Sequence, residues 1–168
     1  MRLRNAIFGL AAWEALQWYL RVRARTRLYV LAQARARALA RPLVVVGDPH
    51  PNSPAATPGG GLTPGPGCGD ICVDLTGCPR CPKGIAVDIG ERIPLADDSS
   101  VVFVSCVLEY VTDWNAALAE LLRVAGSPRN LFVVHVTRWS LAGWLYPGAL
   151  RRFSVHDLPA GTTFGELQ

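Results

Sequence analysis

The chain has 168 residues, half of them apolar and 18% charged, with a formal net charge of +4. That length is one domain's worth of chain, and the apolar share is enough to bury a core, which argues against disorder for most of the chain. The charge is lopsided: nine arginines precede residue 42, whereas beyond it eight Lys and Arg stand against twelve Asp and Glu.

Residues 1–41 therefore form a basic arm. From residue 3 to 40 it is built of Ala, Leu, Arg and aromatics with no proline, which predicts one long helix or two short ones. Its most apolar part, Ala6 to Leu20, contains Phe8, Trp13, Trp18 and Tyr19 but is interrupted by Glu14 and Gln17. It falls short of the ~18 uninterrupted apolar residues of a membrane span. Glu14, Gln17, Arg21 and Arg25 recur at helical spacing as a narrow polar stripe on a greasy cylinder. Such a helix packs on its own domain, lies on an anionic membrane surface, or docks on a protein complex. Glu14 inside the apolar run and the absence of a small-residue cleavage pattern argue against a signal peptide. A cytoplasm-like compartment is expected, with peripheral membrane or complex association through the arm. Nucleic-acid binding finds little support, because the arginines lie on an apolar arm and are not interleaved with exposed aromatics across the domain.

Residues 42–168 change texture and predict an α/β domain. Leu43 to Gly47 reads as a first buried strand, ended by glycine. The stretch 48–69 is so rich in proline and glycine that no helix survives there, and it is expected to be a long loop. Ile71 to Gly77, Gly84 to Ile89, Val101 to Leu108 and Asn130 to Val136 read as four further strands. Asp113 is placed to cap a helix from Trp114 to Val124, whose Trp114, Ala117, Leu118, Leu121 and Leu122 share a face. Continuous apolar strands linked by a helix predict a mostly parallel open sheet of about five strands, covered on both faces.

One stretch is more specific: Ile93-Pro94-Leu95, the acidic turn Asp97-Asp98-Ser99-Ser100, the strand Val102-Phe103-Val104, then Val107-Leu108-Glu109-Tyr110-Val111 and Glu120-Leu121-Leu122-Arg123-Val124. From Asp70 to Val136 the chain resembles the class I S-adenosylmethionine-dependent methyltransferases, in particular the type 11 group. The resemblance implies a Rossmann-like methyltransferase fold, S-adenosylmethionine as cofactor and a small-molecule methyl acceptor. Tyr110 stands where histidine is commonest in that family. Leu108 to Val111 would lie at the carboxyl rim of the sheet, with Leu108 and Tyr110 near the ligand crevice and Glu109 bonding loop amides; the alternative is that Leu108 and Val111 are core and Glu109 a structural cap. Asp74, at the end of the second strand, stands where an acid accepts hydrogen bonds from ribose hydroxyls. Asp88, at the end of the third, stands where the family's acidic residue meets the adenine amine; each of the two could instead be a strand-end acid satisfied by a loop amide.

The first turn departs from that pattern. The family has a glycine-rich turn and a helix there, because bare backbone must approach the methionine end of the cofactor. This chain offers VVVGDPHPNSP, in which only Gly47 is retained. The resemblance therefore implies either a methyltransferase or a degenerate, non-catalytic relative that keeps the sheet as a scaffold and docks through the arm.

Four cysteines compete for the same region as Cys68-x3-Cys72-x5-Cys78-x2-Cys81. A zinc site is one reading of that spacing, with His50 upstream; reduced buried thiols are the favoured one, and disulfides fit poorly with an apolar domain lacking a secretion signal. Cys106 reads as a small core residue. His135, at the end of the fifth strand, is the one candidate general base, although a satisfied strand-end histidine is the commoner case.

Overall fold

The computed structural model describes residues 2–47, 67–79, 81–135 and 155–165. The arm is one helix, α1 (Arg2–Leu39). It stops where Ala40 turns to φ 50° and Pro42 removes the next amide. Strand β1 (Leu43–Val46) follows at once, and its four side chains are at most 2% exposed. That burial on both faces is why the run is apolar without alternation.

Strand β2 (Ile71–Asp74) is pinned to β1 at its start. Asp70 N donates to the Leu43 carbonyl at 2.9 Å, and Leu43 N donates to Asp70 Oδ2 at 2.8 Å. Gly69, at φ +60°, is required here, since a Cβ would come within 2.6 Å of the Leu43 carbonyl oxygen. Strands β3 (Gly84–Ala86), β4 (Val101–Ser105), β5 (Leu131–Val134) and β6 (Thr163–Gly165) complete a six-stranded sheet in the order β3-β2-β1-β4-β5-β6, with every pairing parallel. The α/β, Rossmann-like expectation holds, and the sheet has one strand more than the five expected. The end of the stretch 48–69 is seen at Gly67 to Gly69; its residues 48–66 lie outside the described residues.

Successive residues of each strand face opposite ways and so build two cores. Val44, Val46, Val102, Val104, Leu131 and Val133 pack against helix α2 (Trp114–Ala125) through Ala117, Leu118, Leu121 and Val124. Leu43, Val45, Val101, Phe103, Phe132 and Val134 pack against the second half of α1 through Leu28, Ala32 and Ala36. Tyr29 of α1 meets Phe103 edge-on, with ring centroids 5.5 Å apart. At roughly 2 kcal/mol for each fully buried aliphatic side chain, these two layers hold the sheet from both sides.

Helix α2 is bounded as its sequence indicates. Asp113 Oδ1 accepts from Ala116 N at 3.0 Å, and Gly126 closes the helix at φ +68°, donating its amide to the Leu122 carbonyl at 2.8 Å. A Cβ on Gly126 would collide with the Asp98 carboxylate, which is paired with Arg41. Gly126→Ala is therefore expected to cost about 1–2 kcal/mol from left-handed strain, and it also displaces the exposed Asp98 carboxylate. A urea titration of the two proteins measures it as a lower midpoint at unchanged slope.

Candidate functional site at the carboxyl rim of the sheet

In an open parallel sheet the strand order reverses between two neighbours, and the crevice outside their carboxyl ends is where ligands bind. Here the chain runs outward from β1 to β2 and β3, then returns to place β4 on the other side of β1. The switch point therefore lies between β1 and β4. Gly47, the residue after β1, donates its amide to the Val73 carbonyl at 2.9 Å and takes φ +100°. A Cβ there would stand 2.6 Å from Val107 Cγ2 and 3.3 Å from the Ser105 carbonyl oxygen. Glycine is thus enforced by the backbone turn and by the end of β4 pressing on it, whether or not a ligand approaches.

The sequence-selected acids occupy the same rim. Register places Asp74 beside Ala86, so Asp74 and Asp88 stand at the ends of adjacent strands. Asp74 Oδ1 accepts from Thr76 N at 2.9 Å and from Thr76 Oγ1 at 2.7 Å, which shapes the turn after β2. Asp88 Oδ1 accepts from Gly90 N at 2.8 Å, and the residue is exposed. Leu108 is elsewhere: its side chain is 2% exposed and belongs to the core beneath α2, so it offers the rim only backbone. Tyr110 ends a single 3-10 turn, Leu108–Tyr110, and is half-buried.

Beyond β1, β4 and β5 reach the rim with a pair that sequence reasoning did not join. Glu109 and His135 are 3% and 4% exposed, and His135 Nδ1 lies 3.6 Å from Glu109 Oε2. That separation is ion-pair range and longer than a hydrogen bond. Glu109 does not cap loop amides as expected; it is turned inward toward the imidazole. Two buried titratable side chains facing each other at strand ends are a costly arrangement in an apolar surround. The pair was findable in principle, because a strand-helix-strand unit sets β4 and β5 side by side, and Cys106 N indeed donates to the Val134 carbonyl at 2.9 Å. Cys106 itself is half-buried at φ 54°, at the turn leaving β4 rather than in the core.

The cysteines correct the sequence reading. Cys68 is bonded to Cys81 and Cys72 to Cys78, so the favoured reduced thiols are replaced by two disulfides. In this form the four sulfurs supply no thiolates for zinc. Among the described residues no group of three or more His, Cys, Asp or Glu is placed to share a metal ion. The physical reason for the pairing is the reversal at Gly77, φ +84°, which brings the chain after β2 back along the strand it has just left. Cys72 Sγ also lies 3.9 Å from the Gly47 carbonyl oxygen, so the inner disulfide lies under the switch-point turn. His50 lies outside the described residues, as do Trp139, Trp144 and Tyr146, whose sequence fits either an acceptor-pocket lining or a cover for the sheet.

Comparison with protein families, with curated proteins and with solved structures finds no match to this chain.

Proposed function

We propose that the chain is a nucleoside-cofactor-binding protein of the S-adenosylmethionine methyltransferase kind, binding at the β1/β4 switch point. The observation that carries this reading is the conjunction of an all-parallel sheet in the order β3-β2-β1-β4-β5-β6 with acids at the ends of β2 and β3. Asp74 is the residue suited to a ribose diol, and Asp88, exposed and one strand further out, suits the base. Gly47 turns the chain at the same rim, beside the place where the sulfonium end would lie. Bound there, the cofactor supplies an electrophilic methyl group; the acids of this chain bind and orient it.

Calorimetric titration with S-adenosylmethionine and S-adenosylhomocysteine tests the proposal. Binding with a Kd on the order of micromolar is expected, weakened at least tenfold, about 1.4 kcal/mol, in Asp74→Ala and in Asp88→Ala. No heat up to millimolar ligand would leave the second reading, a non-catalytic scaffold of the same fold. That reading is favoured by the apolar surface that the first half of α1 presents to solvent.

A further inference from the structure

Helix α1 is longer than the sheet it covers. Its 38 residues extend about 57 Å at 1.5 Å per residue, whereas the longest strand, with five residues, spans about 17 Å. Among the described residues, only its second half, from Leu28 onward, supplies side chains to a core, the one on its own face of the sheet. The first half is inside out. Of the side chains described from Asn5 to Tyr19, Gln17 alone is buried and Glu14 is half-buried, whereas Ile7, Phe8, Leu10, Trp13, Leu16 and Tyr19 are 45–66% exposed. At 100° per residue these six are spread around the whole helix, with Leu10 falling between Glu14 and Gln17.

A helix stabilised by water would show the reverse pattern, with its polar stripe outward. We propose that the first half of α1 enters the surface of an anionic lipid bilayer. Three observations select lipid over a protein partner. The exposed side chains are apolar around most of the helix rather than along one seam, as a lipid-immersed segment requires and a docked helix does not. An aromatic and cationic collar ends the apolar stretch: Tyr19 is followed one turn later by Arg23, whose guanidinium carbon lies 5.7 Å from the Tyr19 ring centroid, and Arg27 is also exposed. Aromatic rings and arginines at that position suit the headgroup layer, where phosphates meet the guanidinium groups. The charge of the arm matches as well, with nine arginines against the single acid Glu14 before residue 42. No described helix is long and apolar enough to cross a membrane, so α1 is inserted from one side. This inference is independent of the cofactor reading, because none of its residues lies at the rim.

The test is flotation of the purified full chain with vesicles of phosphatidylcholine alone and with about a quarter of phosphatidylglycerol. The chain is expected to float with the anionic vesicles and to remain behind with the neutral ones. Phe8→Asp with Trp13→Asp should abolish flotation, and Arg23→Gln with Arg27→Gln should weaken it about thirtyfold, at roughly fivefold per arginine. Both pairs are exposed, so melting temperatures should stay within a few degrees of the parent, which separates lost docking from lost folding. Flotation of the Phe8/Trp13 variant equal to that of the parent would overturn the proposal. So would failure to bind either vesicle by a chain that elutes as a dimer, since a second copy would then be what covers the helix.

Discussion

Reduced with excess phosphine, the chain is expected to melt about 10 °C lower than in its oxidised form, a loss on the order of 4 kcal/mol for a protein of this size. The estimate follows from loop closure. Cys72–Cys78 closes a sequence separation of 6 and Cys68–Cys81 one of 13, worth about 2 and 3 kcal/mol when each acts alone. The inner loop lies within the outer, so the sum is smaller than the parts. Cys72 and Cys78 are fully buried whereas Cys68 and Cys81 are half-buried, so the outer bond should be reduced first. Scanning calorimetry across a reductant series, with alkylated cysteines counted by mass spectrometry, resolves the two steps. Superimposable melts of fully reduced and oxidised chain would show that the bridges add nothing to stability. The same bridges bear on the rim, because the inner one spans Asp74 and touches the Gly47 carbonyl. If the proposed cofactor site is correct, reduction should weaken ligand binding along with stability. Disulfides persist in oxidising compartments and are transient in reducing ones, which makes the redox state of the chain in its host a direct probe of where it resides.

Much of the architecture was legible in the sequence because burial on both faces leaves a simple trace. The runs at Leu43, Ile71, Val101 and Leu131 are apolar without alternation, and each became a central or near-central strand. Helix α2 was legible from its cap and its apolar face, and its end fell within one residue of that expected. Strand ends were overcalled where apolar residues continue into the rim: Val107 and Leu108 extend the run after β4, yet Cys106 has already turned to positive φ. Strand β6 left no trace, since Thr163-Phe164-Gly165 is too short for a pattern and is a strand only because β5 supplies its partners. Gly165 fits there because a Cβ would come within 3.0 Å of Leu28. The site was legible one residue at a time. Gly47, Asp74, Asp88 and His135 were found from strand ends, but the meeting of Glu109 with His135 and the pairing of the cysteines are tertiary facts. No spacing along the chain encodes them.

The second large effect is expected at Arg123, and it explains the form of the stretch from Ile93 to Val124. The guanidinium, on α2, is 17% exposed and reaches back to the segment that precedes β4. It donates to the Ile93 carbonyl at 3.0 Å, to the Leu95 carbonyl at 2.9 Å and to the Asp97 carboxylate. Glu120, one turn earlier, accepts from Arg123 Nε at 2.8 Å and from Ile93 N at 2.7 Å, so the two side chains grip the Ile93-Pro94-Leu95 step from both its donor and its acceptor. Arg123→Ala would leave two carbonyls and the carboxylates of Asp97 and Glu120 without this donor, at a cost of about 3 kcal/mol. Arg123→Lys should restore less than half of that, because one ammonium cannot span the fork the guanidinium fills. The charge state gives an independent check. Arg123 donating to its carboxylate holds Glu120 below the ordinary glutamate range, helped by the Ile93 amide and opposed by burial. A carboxyl depressed in the folded state contributes stability that is present above its unfolded pKa and is lost as the pH falls through the folded value. The parent should therefore lose stability below about pH 4.5 more steeply than Arg123→Ala, in which Glu120 has lost the group that depresses it. Urea midpoints measured from pH 7 to pH 3 for both proteins would show the two curves converging in acid. Curves that stay parallel would mean that Arg123 acts on the Ile93–Leu95 loop through its carbonyl contacts alone.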